Sequence, residues 1–299
     1  MEFGRVEHPE LVDHTLAPDP PATSHVLKTA ERDGAFSMCF GTSQWHDDGY
    51  YGSLYPERVK KGEELHWYAR QFNTIEFNPS FYAIPPVASV KKWASLVPDG
   101  FSFCCKVPRY ISHAAEPVLQ SNALDSFGET LKHFEDHLGP CFLQLPPHVK
   151  PDALPRYLRL LDKTKLPSRL FFEARHELWF TEQGFYEDAV SVFQERGIGL
   201  VISDASGRRD AAHMTLAIPE VMVRWVGNSG HASDFERLKE WALRIEQWKQ
   251  AGLKRCHFFL HQPDPGKVPA LAVRFSEMLS GSGIPTKKIA LQDVQQGLF

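Results

Sequence analysis

Eight short apolar runs alternate with longer amphipathic stretches between residues 36 and 280, and this alternation limits the fold more than any other feature of the chain. The runs read as strands at 36–43, 74–78, 101–107, 141–145, 169–175, 198–204, 221–227 and 255–261. Helical spacing fills 63–72, 87–96, 122–137, 152–161, 182–196, 234–251 and 267–280. In the sixth of these, Leu238, Trp241, Leu243, Ile245 and Trp248 predict an apolar stripe. Strands separated by helices run parallel, because parallel neighbours need crossover connections. Eight such units in about 250 residues predict an α/β protein with a single (β/α)8 TIM-type barrel. The turn after the first strand, GTSQWHDDGYYG, is neither GxGxxG nor a P-loop, which argues against a doubly wound nucleotide-binding sheet. Residues 204–220, with SGRRDAAHM and Pro219, read as an irregular connection between strands 6 and 7.

Charge and composition narrow the partners. Thirty-three Lys and Arg against 37 Asp and Glu leave a net charge of -4, which disfavours a nucleic-acid-coating surface while leaving a local basic groove open. No apolar run approaches the roughly 20 residues that span a bilayer, so no membrane partner is expected. The first 22 residues mix charges, His and Pro and read as no secretory signal. The cysteines number five and form no CxxC, so they read as small buried hydrophobes of a reducing, cytoplasmic compartment. Residues 1–35, with Pro9, Pro18, Pro20 and Pro21, read as a flexible extension; 36–280 is the barrel domain and 281–299 a tail.

In such a barrel the polar groups at the C-terminal ends of the strands share one mouth. Strand alternation turns Glu76 and Asn78 inward from the second strand, and Glu173 and Arg175 from the fifth. Lys106, Gln144, Asp204, Arg224 and His261 end the third, fourth, sixth, seventh and eighth strands. Isolated buried charges are costly, so carboxylates and cations gathered in this way predict a ligand site more readily than a plug.

Glu76, Glu173, Lys106 and Asp204 are the candidate catalytic groups. The two glutamates have the form of an acid–base pair for a hydrolase or lyase, and Lys106 that of a Schiff-base lysine for a carbonyl substrate. Lys106, Arg175 and Arg224 suit a carboxylate or phosphate, so the expected partner is a small anionic molecule. Asn78, Gln144, His176 and His261 complete the ligand-binding set. Trp45 in the loop after the first strand and Tyr82 after the second are candidate stacking surfaces. No HExxH or HxH spacing occurs and the cations oppose a metal, so no metal is expected and no cofactor is named. The alternatives are a nucleic-acid-binding or nucleic-acid-processing barrel, and a non-catalytic scaffold.

At these positions the sequence resembles the YecE-like family, a domain of unknown function. Gly41-Thr42-Ser43-Gln44-Trp45 followed by Tyr55-Pro56 is similar to its opening GTSGW signature. Thr74, Glu76, Asn78, Phe81 and Tyr82 match a TxExNxxFY block, and Lys106 with Ser112-His113 a lysine and later Ser-His pair. Leu138-Gly139-Pro140 and Gln144-Leu145-Pro146-Pro147 match LGPxLxQLPP; Glu173, Arg175, His176 and Trp179 match ExRHxxW. The resemblance spans about residues 36 to 280 and implies a TIM-barrel-like fold, with no activity attached. Three positions depart from it: Gln44 replaces a Gly, Val226 a His of an RxHG pattern, and the eighth strand ends Leu260-His261-Gln262 instead of Phe-Asn-Asn.

Overall fold

The computed structural model describes residues 3–31 and 34–292; part of the tail expected at 281–299 therefore lies outside the described residues. Among the described residues there are ten strands: β1 (Ser37–Thr42), β2 (Thr74–Phe77), β3 (Ser102–Cys105), β4 (Cys141–Gln144), β5 (Leu170–Glu173), β6 (Phe180–Thr181), β7 (Gly184–Phe185), β8 (Gly199–Asp204), β9 (Glu220–Val226) and β10 (Arg255–His261). Eight coincide with the apolar runs of the sequence. The other two, β6 and β7, form a small antiparallel hairpin in what reads as the start of a helix.

The protein has an α/β fold built on a mostly parallel sheet. Six strands pair in the order β1-β10-β9-β8-β5-β4, and β2 pairs with β3. Gly139 N donates to Phe103 O at 3.0 Å and Val107 N to Phe142 O at 2.9 Å, which joins β3 to β4. β1 meets β2 largely through side chains. Asn73 accepts from Phe40 N on Oδ1 and donates to Met38 O from Nδ2, both at 2.8 Å. Tyr68 Oη accepts from Thr42 N at 2.7 Å and donates to Thr74 O at 3.0 Å. Gly41 stands at this junction for a steric reason: a Cβ there would lie 2.1 Å from Thr74 O.

Strand parity sorts the side chains into two layers. Cys104, Phe142, Phe171, Val201, Met222 and Phe259 form one buried cluster on the inner face of the strands. Their sequence neighbours Phe103, Leu143, Phe172, Ile202, Val223 and Phe258 belong to a larger cluster under the helices. The helix Ala232–Ala251 buries Leu238, Trp241, Ile245 and Trp248 on that cluster, with the Trp241 ring 5.8 Å from Phe258. Leu243, expected in the same stripe, is 49% exposed. Two residues beyond Trp241 is a turn of about 200° at 3.6 residues per turn, which places it on the opposite face.

Residues 205–219 contain one short 3-10 turn, Arg209–Ala211, and no α-helix, yet 211–218 are buried. The buried backbone there needs partners, and the segment expected as a loose extension supplies some of them. The helix Pro21–Thr29 places Thr23, fully buried, so that its hydroxyl donates to Met214 O at 2.8 Å and accepts from Leu216 N at 2.9 Å. Asp19 accepts from Arg244 and from Trp248 Nε1 at 2.7 and 2.9 Å. The N-terminal stretch is thus docked by specific bonds that no periodicity would reveal.

All five cysteines are free thiols, four of them buried and Cys39 half-buried. Among the described residues no helix is long and apolar enough to cross a membrane.

Asn73→Ala should lower unfolding stability by about 1–3 kcal/mol, because two backbone groups at the β1–β2 junction lose their partner. A reduced urea midpoint with an unchanged slope is the expected reading; a wild-type midpoint would contradict this account of the junction.

Candidate functional site

One step beyond the inner apolar cluster, seven of the strands contribute their next inward-facing residue, at or just past the strand's end. These are Glu76 after Thr74 on β2, Lys106 after Cys104 on β3, and Gln144 after Phe142 on β4. Glu173 follows Phe171 on β5, Ser203 follows Val201 on β8, Arg224 follows Met222 on β9 and His261 follows Phe259 on β10. They form one hydrogen-bonded network at the C-terminal ends of the strands.

Arg224 is its centre. Its Nε and Nη2 donate to Glu76 Oε2 and Oε1 at 2.8 and 2.9 Å. Its Nη1 donates to Glu173 Oε1 and Oε2 at 2.8 and 3.1 Å. Glu76 also accepts from His261 Nε2 at 2.8 Å and from Asn78 Nδ2 at 2.9 Å. Glu173 also accepts from Arg175 Nε at 2.8 Å, Ser203 Oγ at 2.9 Å and Gln144 Nε2 at 2.8 Å. Lys106 Nζ donates to Gln144 Oε1 at 2.9 Å and sits 4.0 Å from the centre of the Phe81 ring.

The charges follow from these contacts. Burial raises the Glu76 carboxyl, but Arg224 and then His261 outweigh it and hold the group well below its ordinary range. Burial likewise raises Glu173, while Arg175, Arg224 and Lys106 bring it down to about 2. Both stay ionised at neutral pH. Burial lowers His261 despite the adjacent Glu76, whose carboxylate accepts from its Nε2. Burial, followed by Arg224, lowers Lys106 to about 8. The network therefore sets Arg175, Arg224 and Lys106 against two carboxylates.

The sequence-derived residues fall into distinct places. Glu76, Glu173, Lys106, Asn78, Gln144, Arg175, Arg224 and His261 come together here. Asp204 does not. It is the helix-facing neighbour of Ser203, bound by Arg237 Nη2 at 2.9 Å, Trp241 Nε1 at 2.7 Å and Arg209. Parity, rather than nearness to the strand end, decides which residue enters the site. Trp45 also lies on the helix side, stacked on Phe77 at 5.9 Å. Tyr82 is 77% exposed and touches Phe81 instead. His176 caps the 3-10 turn Glu177–Trp179, accepting from Leu178 N on Nδ1 at 3.1 Å. The acid–base pairing of the two glutamates is poorly served: both oxygens of each are engaged, and a guanidinium stands between them.

Two contributors are missing from the residues expected from the sequence. Ser203 was legible from the alternation with Val201. Phe3 carried no signal. Its ring covers the Arg175 guanidinium at 3.8 Å, with Arg208 at 5.0 Å. Gly207 N donates to Gly4 O at 2.8 Å, which fixes this segment beside the site.

The positions that depart from the family pattern are all near this region. Gln44 Nε2 donates to Asp47 Oδ2 at 3.0 Å. Val226 lines a cavity of about 290 Å³ with Gly4, Val6 and Asn228. His261 binds Glu76. Among the described residues no group of three or more His, Cys, Asp or Glu side chains is placed to hold a metal ion.

Residues 39–293 match the family model described as "Protein of unknown function DUF72". The UPF0759 protein YecE of Escherichia coli (strain K12) is 28% identical over 236 residues, 73% of this chain and 86% of its own length. The UPF0759 protein YunF of Bacillus subtilis (strain 168) is 26% identical over 165 residues, 52% of this chain and 57% of its own. A crystal structure of a DUF72 family protein from Enterococcus faecalis V583 superposes with a TM-score of 0.65 at 16% identity, covering 81% of this chain and 95% of that one. One from Thermotoga maritima MSB8 gives 0.61 at 20% identity, covering 82% and 99%. At these identities the two structures show a shared fold.

The depressed glutamate carboxyls set an acid limit. Glu173 contributes stability above its ordinary value of 4.5 and loses it as pH falls towards about 2. Arg224→Gln strips both carboxylates of their main partner. It should cost about 3–5 kcal/mol at pH 7 and move the acid-unfolding midpoint to higher pH. Circular dichroism across a pH series checks both, and an unmoved acid midpoint would refute the role given to Arg224.

Proposed function

Because the chain belongs to the DUF72 family, whose own description assigns no activity, we propose a function from the site itself: the protein binds a small anionic ligand at the polar network capping its strands. In this reading β1–β5 and β8–β10 close as a (β/α)8 barrel within a single domain of residues 36–280. The network is then the barrel mouth, the usual place for ligands in that architecture. The hydrogen bonds joining β3 to β4 and β1 to β2 support the closure.

The observation that carries the proposal is the imbalance of charge. Arg175 and Arg224 fully engage the two carboxylates, and Lys106 adds a third cation that lies on neither. A buried surplus of positive charge is unfavourable without a counter-charge, and a carboxylate or phosphate would supply one. Among the described residues Arg175 Nη1 meets no acceptor and Lys106 meets only Gln144, so donors remain for it. The glutamates act as supports that orient Arg224 and Gln144 in place of acid–base chemistry of their own. Phe3 stands over Arg175, so ligand entry displaces that ring.

Thermal-shift titration with inorganic phosphate and with malonate tests this. The melting temperature of the wild type should rise in a saturable way with at least one of the two, since a ligand selective for the folded state adds about 2.7 kcal/mol at 100 times its Kd. Arg175→Ala should lose most of the shift, and Phe3→Ala should show it at lower concentration. No saturable shift with either anion, or equal shifts in wild type and Arg175→Ala, would overturn the reading.

A further inference from the structure

We propose that Lys106 forms an imine with the ligand of this site, so that the molecule bound carries an aldehyde or ketone beside its anionic group. This rests on the anion-binding reading above and adds a covalent step to it. The geometry points to Lys106 because it alone among the network's cations is kept off the carboxylates. Arg224 takes Glu76 in a two-pronged grip and shares Glu173 with Arg175. Among the described residues no carboxylate oxygen lies within 4.0 Å of Lys106 Nζ. A lysine serving only to balance buried carboxylates would sit on one of them.

The surroundings hold the amine ready to react. Glu173 can only accept, so Gln144 must turn its Nε2 towards it at 2.8 Å. That fixes Oε1 towards Lys106, where it accepts one N–H at 2.9 Å. The Gln144 amide thus orients the lysine without taking its lone pair. Phe81 at 4.0 Å and Phe142 at 5.8 Å from Nζ cover two further directions with apolar faces. Burial and Arg224 lower the ammonium to about 8, so roughly a tenth is neutral at pH 7.

Beyond Phe81, at 5.5 Å between rings, stands His113, which burial lowers to about 4. It lines a cavity of about 370 Å³ together with His148, Lys150 and Arg156.

The step balances without an oxidant or metal. The Lys106 nitrogen adds to the carbonyl carbon, a C–N bond forms, and the carbonyl oxygen takes a proton as the nitrogen loses one. Loss of that oxygen as water then leaves the C=N bond of the imine. Arg175, paired with Glu173 and near enough to Lys106 to oppose its protonation, supplies a cation for the ligand's carboxylate while this occurs.

Reductive trapping tests the proposal. The full-length wild type is treated with glyoxylate and sodium cyanoborohydride, and labelled lysines are located by peptide mass spectrometry. Lys106 should be modified at least about ten-fold faster than the exposed Lys92, as expected for an amine held partly neutral. Lys106→Arg should remove the adduct and leave Lys92 labelled as in the wild type. Inorganic phosphate should protect Lys106 and leave Lys92 unaffected. The same trap is run on Phe3→Ala, so that a covered mouth cannot hide the reaction. Equal labelling of Lys106 and Lys92, or no Lys106 adduct in either protein, overturns the imine. If the thermal shift persists in that case, the binding site stands without it; if the shift is absent too, the site reading itself has failed.

Discussion

Arg224 occupies a position that few other side chains could fill. Two carboxylates from β2 and β5, each 0% exposed, approach the same point from opposite sides. Only a planar cation with donors on two edges can hold both. Lysine would supply one centre of charge and leave an oxygen pair unsatisfied, at the cost attached to any unpaired buried ion. Because Arg224 is on β9, one side chain ties β2, β5 and β9 together at their C-terminal ends. The geometry of Gln144, Lys106, His261 and Asn78 follows from where those two carboxylates are held.

Much of this was legible in the sequence because it depends on a simple periodicity. The apolar runs marked the strands, and the period of two marked Glu76 and Glu173 as facing inward, where the structure has them. The reading of Asp204 failed at the same rule: taking the last residue of the run ignored that Val201 and Ser203 share the inner face. Ser203 donates to Glu173 at 2.9 Å, while Asp204 is committed to Arg237 and Trp241 on the helix side. Leu243 is the helical version of that error, an apolar residue assigned to a face its angular position does not reach. Trp45 and Tyr82 were aromatic and near strand ends, but proximity in sequence does not say whether a loop side chain turns towards the polar network or the helices.

What the sequence could not disclose was contact between distant segments. The N-terminal stretch has too little periodicity to declare a structure. Its role depends on residues 205–219, which form no helix where the alternation would place one. That connection leaves buried backbone beside β8 and β9, and Thr23, nearly 200 positions away along the chain, answers it with two hydrogen bonds. Once Pro21–Thr29 is docked there, the residues before it are led across the strand ends. Phe3 then rests on Arg175 and Gly4 on Gly207. The segment that compensates for a missing helix is thereby also the one that shields the site.

The division of labour among the cations gives the site its chemical character. Arginine cannot surrender its proton at any ordinary pH, so the two arginines serve as permanent counter-charges for the glutamates. Their presence has two effects on Lys106. It removes the carboxylates that would otherwise hold the ammonium, and it adds positive charge that opposes protonation. Had β9 carried a neutral residue in place of Arg224, Glu173 would keep Arg175 but Glu76 would have no guanidinium partner, and Lys106 would lose a neighbouring charge that opposes its protonation. Burial and the same guanidinium that makes the buried carboxylates tolerable together leave the lysine able to change its protonation near neutral pH and to offer a lone pair.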